Sequence, residues 1–115
     1  MINLLEDINC TLQVNNKTFD DIEWIGGTHY QIPKDVFINI AEKTYYDSGY
    51  GRQEIASDLI LCGKDFWLER NTYDGSEWWE FKTLPKKPVL VIAKPIKLIS
   101  DLGWETLKEI NSEGL

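Results

Sequence analysis

The chain has 115 residues, a length that suits one compact domain, and its 43% apolar and 27% charged residues are typical of a globular protein. Acidic residues outnumber basic ones by 19 to 12, and the net charge of −7 argues against direct nucleic-acid binding, because no basic stripe can displace counterions from phosphates. No apolar run approaches the roughly 18–20 residues that cross a bilayer, and the N-terminus lacks the pattern of a signal peptide. We expect a single cytoplasmic domain over residues 1–115 that contacts neither membrane nor nucleic acid.

Cysteine and histidine are too scattered to form a metal site. Cys10, Cys62 and His29 lie far apart, whereas a zinc ion needs about three or four protein ligands. We therefore expect no metal and no cofactor, and two buried free thiols in a reducing cytosol. His29 has no orienting partner near it in the sequence, so an acid–base role for it is disfavoured.

The first half of the chain contains one strong helix signal. Residues 2–8 indicate a short helix, and residues 11–14 and 22–25 indicate short strands. After Pro33, apolar residues recur with the helical period over residues 34–46, and the loop at 47–51 ends that helix. Residues 52–57 add one helical turn at most.

The second half of the chain is rich in strands. Residues 60–62, 66–70 and 78–82 are aromatic and aliphatic runs separated by turn residues, which predicts an antiparallel meander. Residues 89–93 suggest a further strand, and Ser100 or Asp101 can cap a final helix that Gly114 ends. The predicted fold class is α+β, with an antiparallel β-meander of three to five strands whose one face is packed by two helices, the 34–46 and C-terminal helices being the main candidates.

The Asp74-Gly75 pair fixes the register of the central hairpin. This dipeptide favours a two-residue type I′ turn, and the turn sets Arg70 opposite Trp79 and Glu69 opposite Glu80. A three-residue loop would instead mix apolar and charged side chains on both faces. The favoured register predicts a core face, formed by Phe66, Leu68, Trp79 and Phe81 with Arg70 beside them, and an opposite face, formed by Trp67, Glu69, Asn71, Tyr73, Trp78, Glu80 and Lys82. A turn at Gly63-Lys64 would extend the core face with Leu59 beside Leu68 and Leu61 beside Phe66.

The second face combines aromatic rings with carboxylates. Glu69 opposite Glu80 weakens a sheet unless something compensates, and Lys82 is a local candidate for that role. One interpretation is a half-solvated surface on which aromatic rings shield the backbone. The other is a recognition surface, since Trp and Tyr are enriched at binding hot spots. On the second interpretation the predicted binding residues are Trp67, Glu69, Tyr73, Asp74, Glu77, Trp78 and Glu80.

Two other functions remain open from these residues. Glu69 and Glu80 would make a hydrolase-like or carbohydrate-binding pair if they lay about 5 Å apart beside sugar-stacking tryptophans. The same face would also serve an oligomerising structural or assembly protein. By contrast, Gly49-Tyr50-Gly51 lacks the further glycine of a dinucleotide fingerprint and the lysine of a phosphate-binding loop, and we interpret it as a helix-ending loop.

The hairpin sequence YDGSEWWEFKTLP, at residues 73–85, resembles a stretch found in small phage- and prophage-encoded proteins of Gram-positive bacteria that have no established activity. The segments YDSGYG at 46–51 and FWLER at 66–70 belong to the same resemblance. It implies no catalytic residues, but small acidic phage proteins frequently bind host enzymes, some by mimicking phosphate charge in a nucleic-acid channel. The leading expectation is a non-enzymatic module that binds a host cytosolic protein, one such target being a basic nucleic-acid-binding surface.

Overall fold

The structure is a computed structural model that describes residues 1–49 and 51–112. The chain divides into two compact units, Met1–Pro85 and Lys86–Leu115. Tyr50, in the predicted loop, and Gly114, the predicted end of the last helix, lie outside the described residues. The α+β class and the β-meander are confirmed.

The first unit contains a small two-stranded sheet and an open sheet of five strands. Strands β1 (Ile2–Asn3) and β4 (Tyr45–Tyr46) pair antiparallel in the small sheet. The strands of the large sheet are β2 (Trp24–Gly26), β3 (Gln31–Ile32), β5 (Ile60–Cys62), β6 (Phe66–Tyr73) and β7 (Ser76–Thr83). This sheet is antiparallel throughout, in the spatial order β3-β2-β5-β6-β7.

Helix α1 (Leu4–Val14) is longer than the sequence indicates. Leu4, Ile8 and Leu12 recur every four residues and are all buried, so the helical period continues through the predicted strand at 11–14, which is wrong. Asn3 caps the helix, because its Oδ1 accepts a hydrogen bond from the Glu6 N–H at 3.0 Å.

Helix α2 (Lys34–Ala41) begins after Pro33 as predicted but ends before residue 46. Tyr46 instead pairs with Ile2 in the small sheet, and its side chain is only 2% exposed. The Asn3 Nδ2 donates to the Glu42 carbonyl at 2.9 Å, which ties the start of α1 to the end of α2. Residues 52–57 form bends and turns, so the helical turn considered there is absent.

The turn between β5 and β6 lies one residue later than predicted. Lys64 and Asp65 occupy it, and the Gly63 N–H donates to the Phe66 carbonyl at 2.9 Å. A Cβ at Gly63 would lie 2.1 Å from Phe66 Cε1, so this glycine makes room for a ring rather than forming the turn itself. Leu61 therefore pairs with Leu68, and the register is shifted by two residues; an even shift leaves the same side chains facing the core.

Two helices cover one face of the large sheet, which we call the inner face. Helix α1 packs against β7 and α2 against β2. Helix α1 thus packs on the sheet where the sequence analysis expected the C-terminal helix. The buried core unites both helices with the sheet and consists of Leu4, Ile8, Leu12, Ile22, Ile25, Phe37, Ala41, Tyr46, Leu61, Phe66, Leu68 and Trp79.

The second unit has little regular structure within residues 86–112. Helix α3 (Leu107–Ile110) is a single turn, which Thr106 caps by accepting from the Glu109 N–H at 3.2 Å. The predicted helix start at Ser100 or Asp101 is therefore wrong, and the predicted strand at 89–93 is not formed. The Asn111 side chain holds the unit together, because it accepts from the Lys97 N–H at 2.8 Å and donates to the Lys97 carbonyl at 3.0 Å.

Candidate functional site

The β6–β7 hairpin has the register that the Asp74-Gly75 turn predicts. Both turn residues have positive φ, 50° and 86°, as a type I′ turn requires. Arg70 lies opposite Trp79, and Glu69 lies opposite Glu80. We call the side that points away from the helices the outer face; on the hairpin it consists of Trp67, Glu69, Asn71, Tyr73, Trp78, Glu80 and Lys82.

The aromatic side chains of the outer face reach solvent. Tyr73 is 76% exposed and Trp78 is 37% exposed, whereas Trp67 is half-buried. Asp74 is exposed at the tip of the turn. The structure thus brings together six of the seven predicted binding residues on this face or at its end.

Each outer-face tryptophan of the hairpin donates to the glutamate two residues further along its own strand. Trp67 Nε1 lies 2.6 Å from Glu69 Oε1, and Trp78 Nε1 lies 3.2 Å from Glu80 Oε1. Asn71 Nδ2 adds a second hydrogen bond to Glu80 Oε1 at 2.9 Å. These donors compensate the repulsion between the two opposed carboxylates, and they hold both indole rings beside the carboxylate pair.

The hydrogen bonds on Glu80 keep that carboxylate ionised. The Asn71 amide, then the Trp78 indole, and finally the charge of Lys82 lower the pKa of Glu80, since each favours the charged form. Lys82, the compensating group that the sequence suggested, contributes least to this lowering. At neutral pH the centre of the outer face carries negative charge between two indole rings.

Glu77, the seventh predicted binding residue, does not lie on the outer face, which corrects its assignment to the binding surface. Its side chain is 3% exposed on the inner side of the hairpin, where Glu77 Oε2 lies 2.7 Å from Arg70 Nη2. Burial by itself would raise the pKa of Glu77, but hydrogen bonds from the Glu54 N–H, from Arg70 and from the Ile55 N–H outweigh it and leave that pKa lowered. The carboxylate is a structural partner of a buried guanidinium.

Arg70 is enclosed by aromatic rings. Its guanidinium carbon lies 4.6 Å from the centre of the Trp79 ring and 5.3 Å from that of Tyr46. Within the described residues, Arg70 Nε and Nη1 have no hydrogen-bond partner, so Glu77 supplies the charge-bearing contact. The pKa of Tyr46 is raised to about 12, first by burial and then by a hydrogen bond to Asp7.

Glu77 also fastens the loop before β5 to the end of the hairpin. Its carboxylate accepts from the Glu54 N–H at 2.7 Å and from the Ile55 N–H at 3.3 Å. From the hairpin side, the Glu77 N–H donates to the Ser48 carbonyl and the Ser76 hydroxyl donates to the Gly49 carbonyl. The loop and the hairpin tip are therefore one hydrogen-bonded assembly.

Trp24 is an outer-face residue that the sequence analysis missed. It lies opposite Cys62, which lies opposite Trp67, so the three side chains form one row across β2, β5 and β6. Trp24 is 40% exposed. No local signal could identify it, because its position depends on the pairing of two strands more than thirty residues apart in the sequence.

The remaining candidate groups do not assemble a catalytic site. His29 is exposed on the β2–β3 turn, beside a cavity of about 190 Å³ that Asp58 also lines. Asp58 accepts from the Thr28 N–H at 2.9 Å, and a Cβ at Gly27 would lie 2.7 Å from its carboxylate, so Asp58 stabilises this turn. Hydrogen bonds from Thr28, and secondarily the charge of His29, lower its pKa.

In the part of the chain that the structure describes, the two cysteines and the side chains that commonly bind metals do not cluster. Cys10 and Cys62 are free; Cys10 is exposed, which corrects the expectation that it is buried, and Cys62 is half-buried. Burial raises the pKa of the Cys62 thiol. Among residues 1–49 and 51–112, no three His, Cys, Asp or Glu side chains gather in a way that would hold a metal ion.

Comparisons with protein-family models, curated proteins and solved structures find no match to this chain. In the described part of the chain, no helix has the length and apolar character that crossing a membrane requires.

Proposed function

We propose that this chain is a phage- or prophage-derived, non-enzymatic binding module that recognises a host cytosolic protein through its outer face. The observation that carries the proposal is the hairpin register, which gathers two indoles, a phenol and two carboxylates on one side of the sheet. The partner we propose presents a basic surface. The nucleic-acid-binding surface of an enzyme is one such target, and occupying it would inhibit the enzyme.

The aromatic side chains supply the contact area. Trp78 and Tyr73 keep much of their surface in water, and covering such rings is among the largest single contributions to a protein interface. The hydrogen bond between Trp78 Nε1 and Glu80 restricts the indole before binding, so less side-chain entropy is lost in the complex.

The acidic residues steer the approach of a basic partner. Residues 1–85 carry 15 acidic and seven basic residues, a net charge of −8, which accelerates encounter with a basic partner. Affinity should therefore fall as salt concentration rises, because most of these carboxylates are solvent-exposed.

Glu80 does not suit the role of a general acid, which needs a raised pKa, because hydrogen bonds to this carboxylate lower its pKa. The face is also open, with Tyr73 76% exposed at one end of it.

The proposal is tested with the full chain and two tryptophan variants. Proteins captured from a Gram-positive host lysate are identified by mass spectrometry, and the affinity of the main one is measured by calorimetry at low and high salt. Trp78→Ala should weaken binding at least tenfold. Trp104→Ala is the matched control, because Trp104 is fully exposed but belongs to the second unit. Equal affinity of Trp78→Ala and wild type, with both variants folded, would contradict the proposal.

A further inference from the structure

The second unit contains a basic apolar segment, residues 86–99, whose apolar side chains are exposed. Val89 is 98% exposed, Leu90 78%, Val91 80% and Ile99 77%. No helix or strand forms within the segment, and Pro88 and Pro95 interrupt it. Consecutive apolar side chains exposed to this degree are typical of an interaction surface.

Charge indicates what covers this segment. Residues 86–99 contain four lysines and no acidic residue, whereas residues 1–85 have a net charge of −8. We infer that the basic apolar segment of one chain docks on the outer face of a second copy. This inference rests on the proposed function, since it uses the same face and names an occupant with the basic chemistry that the face favours.

The outer face has unused acceptors for the lysines. The hydrogen bonds to Glu69 and Glu80 all go to Oε1 among the described residues, so Oε2 of each carboxylate stays available to an ammonium group. Lys86 and Lys87 from the second copy supply such groups. The adjacent apolar side chains then lie against the indole rings of Trp67 and Trp78.

The dimensions of the two surfaces are similar. An extended chain rises about 3.3 Å per residue, so residues 87–94 span roughly 23 Å. The outer face from Trp67 to Tyr73 spans roughly 20 Å by the same rise per residue. One extended segment therefore covers the face, and a two-fold exchange of segments between two copies forms a closed dimer.

An anionic membrane is the other surface that a basic apolar segment could bind. The charge distribution favours the second copy, because the net charge of −8 on residues 1–85 is repelled by anionic lipid and attracted by the lysines. Any basic protein partner then competes with the segment for the same face.

The test is analytical ultracentrifugation of the full chain, from micromolar to submillimolar concentration, at low and high salt. We expect a monomer–dimer equilibrium that high salt weakens. The double reversal K86E/K87E and the face reversal E80K should each raise the dimer dissociation constant at least tenfold. K108E, a reversal outside the segment, should leave it unchanged.

The decisive experiment mixes the K86E/K87E variant with the E80K variant. In the mixture the carboxylates introduced by K86E/K87E meet the ammonium group introduced by E80K, and the unchanged lysines of the E80K chain meet the unchanged glutamates of the other chain, so dimers should re-form. A monomer at every concentration, or a dimer insensitive to both reversals, would overturn the inference. So would sedimentation with vesicles of phosphatidylcholine and phosphatidylglycerol by a chain that stays monomeric.

The outcomes also separate this inference from the proposed function. If the chain is monomeric but still loses its host partner when Trp78 is replaced by alanine, the self-association is wrong and the binding face stands. If the dimer forms but Trp78→Ala leaves the affinity for the host partner unchanged, the proposed function is wrong.

Discussion

The two faces of the β6–β7 hairpin use the same residue types for opposite purposes. Trp78 and Trp79 are neighbours in sequence, yet Trp78 is 37% exposed and Trp79 is 6% exposed. Glu77 is buried against a guanidinium, whereas Glu80 lies beside another carboxylate on the open side. Position relative to the Asp74-Gly75 turn, rather than residue type, decides whether a side chain builds the fold or remains available for binding.

The electrostatics of the two faces differ accordingly. The inner pair, Arg70 and Glu77, is buried and opposite in charge, so the loss of one partner leaves the other charge buried without compensation. The outer pair, Glu69 and Glu80, is like-charged and reaches water, where loss of one charge costs little. Substitutions on the two faces should therefore affect stability very differently.

The largest difference is expected for the adjacent tryptophans. Trp79→Ala should lower the free energy of unfolding by about 3–5 kcal/mol, because it removes a core ring and the aromatic surface over Arg70. Trp78→Ala should cost less than about 1 kcal/mol, as for other surface changes. Urea unfolding of both variants measures the difference, and equal losses would mean that the two faces are not distinct.

The glutamates provide the next comparison. Glu77→Gln should destabilise the chain by about 3 kcal/mol, because Arg70 stays buried without its counter-charge while the amide keeps some hydrogen bonds. Glu80→Gln is the matched control, and its unfolding midpoint should be unchanged or slightly higher because a like-charge contact is relieved. A loss for Glu80→Gln as large as that for Glu77→Gln would contradict the assignment of the two carboxylates.

A smaller effect should appear at alkaline pH. The folded pKa of Tyr46, about 12, exceeds its ordinary value of 10.0, so the folded chain holds this proton more tightly. Stability is complete below pH 10 and should fall by about 2 kcal/mol as the pH rises toward 12, because the unfolded chain deprotonates first. Tyr46→Phe should remove this drop, whereas Tyr73→Phe, at an exposed position, should keep it. Unfolding midpoints of the wild type and both variants, measured from pH 10 to pH 12, test this expectation.

The smallest predicted change lies in the turn that separates the faces. Gly75→Ala should cost about 1 kcal/mol, because φ at this position is 86° and a side chain disfavours that conformation. Gly49→Ala is a suitable control, since a Cβ there would make only an ordinary contact, 3.4 Å from Asp47 Oδ1. Unfolding in urea compares the two, and an unaffected Gly75→Ala would show that this turn does not set the register.

Local signals predicted the hairpin correctly because its register depends on adjacent residues. The Asp74-Gly75 turn fixes every pair from Tyr73–Ser76 to Phe66–Thr83, and the pairs fix the faces. The position of Glu77 followed from the same alternation. Its burial does not follow from the sequence, because a carboxylate is normally solvated and only the structure reveals the Arg70 contact.

The sequence alone does not reveal which distant segments of the chain pair or pack together. Tyr46 belongs to strand β4 rather than to α2, because it pairs with Ile2 near the start of the chain. The sequence presents Gly63 as a turn residue, whereas its actual role, making room for the Phe66 ring, depends on packing that only the structure shows. At residues 89–93 the apolar run resembles a strand, but within the described residues it has no neighbouring strand to pair with.

The sorting of the tryptophans has a practical consequence for optical experiments. Trp79 is buried in the core, whereas Trp78 is partly exposed and Trp104 fully exposed on different units. Comparing the emission of the wild type with that of Trp78→Ala and of Trp104→Ala, both of which keep Trp79, would therefore separate the signals of the sheet surface and of the second unit from that of the core. The chain can thus be followed by intrinsic fluorescence, without attached dyes, through both folding and complex formation.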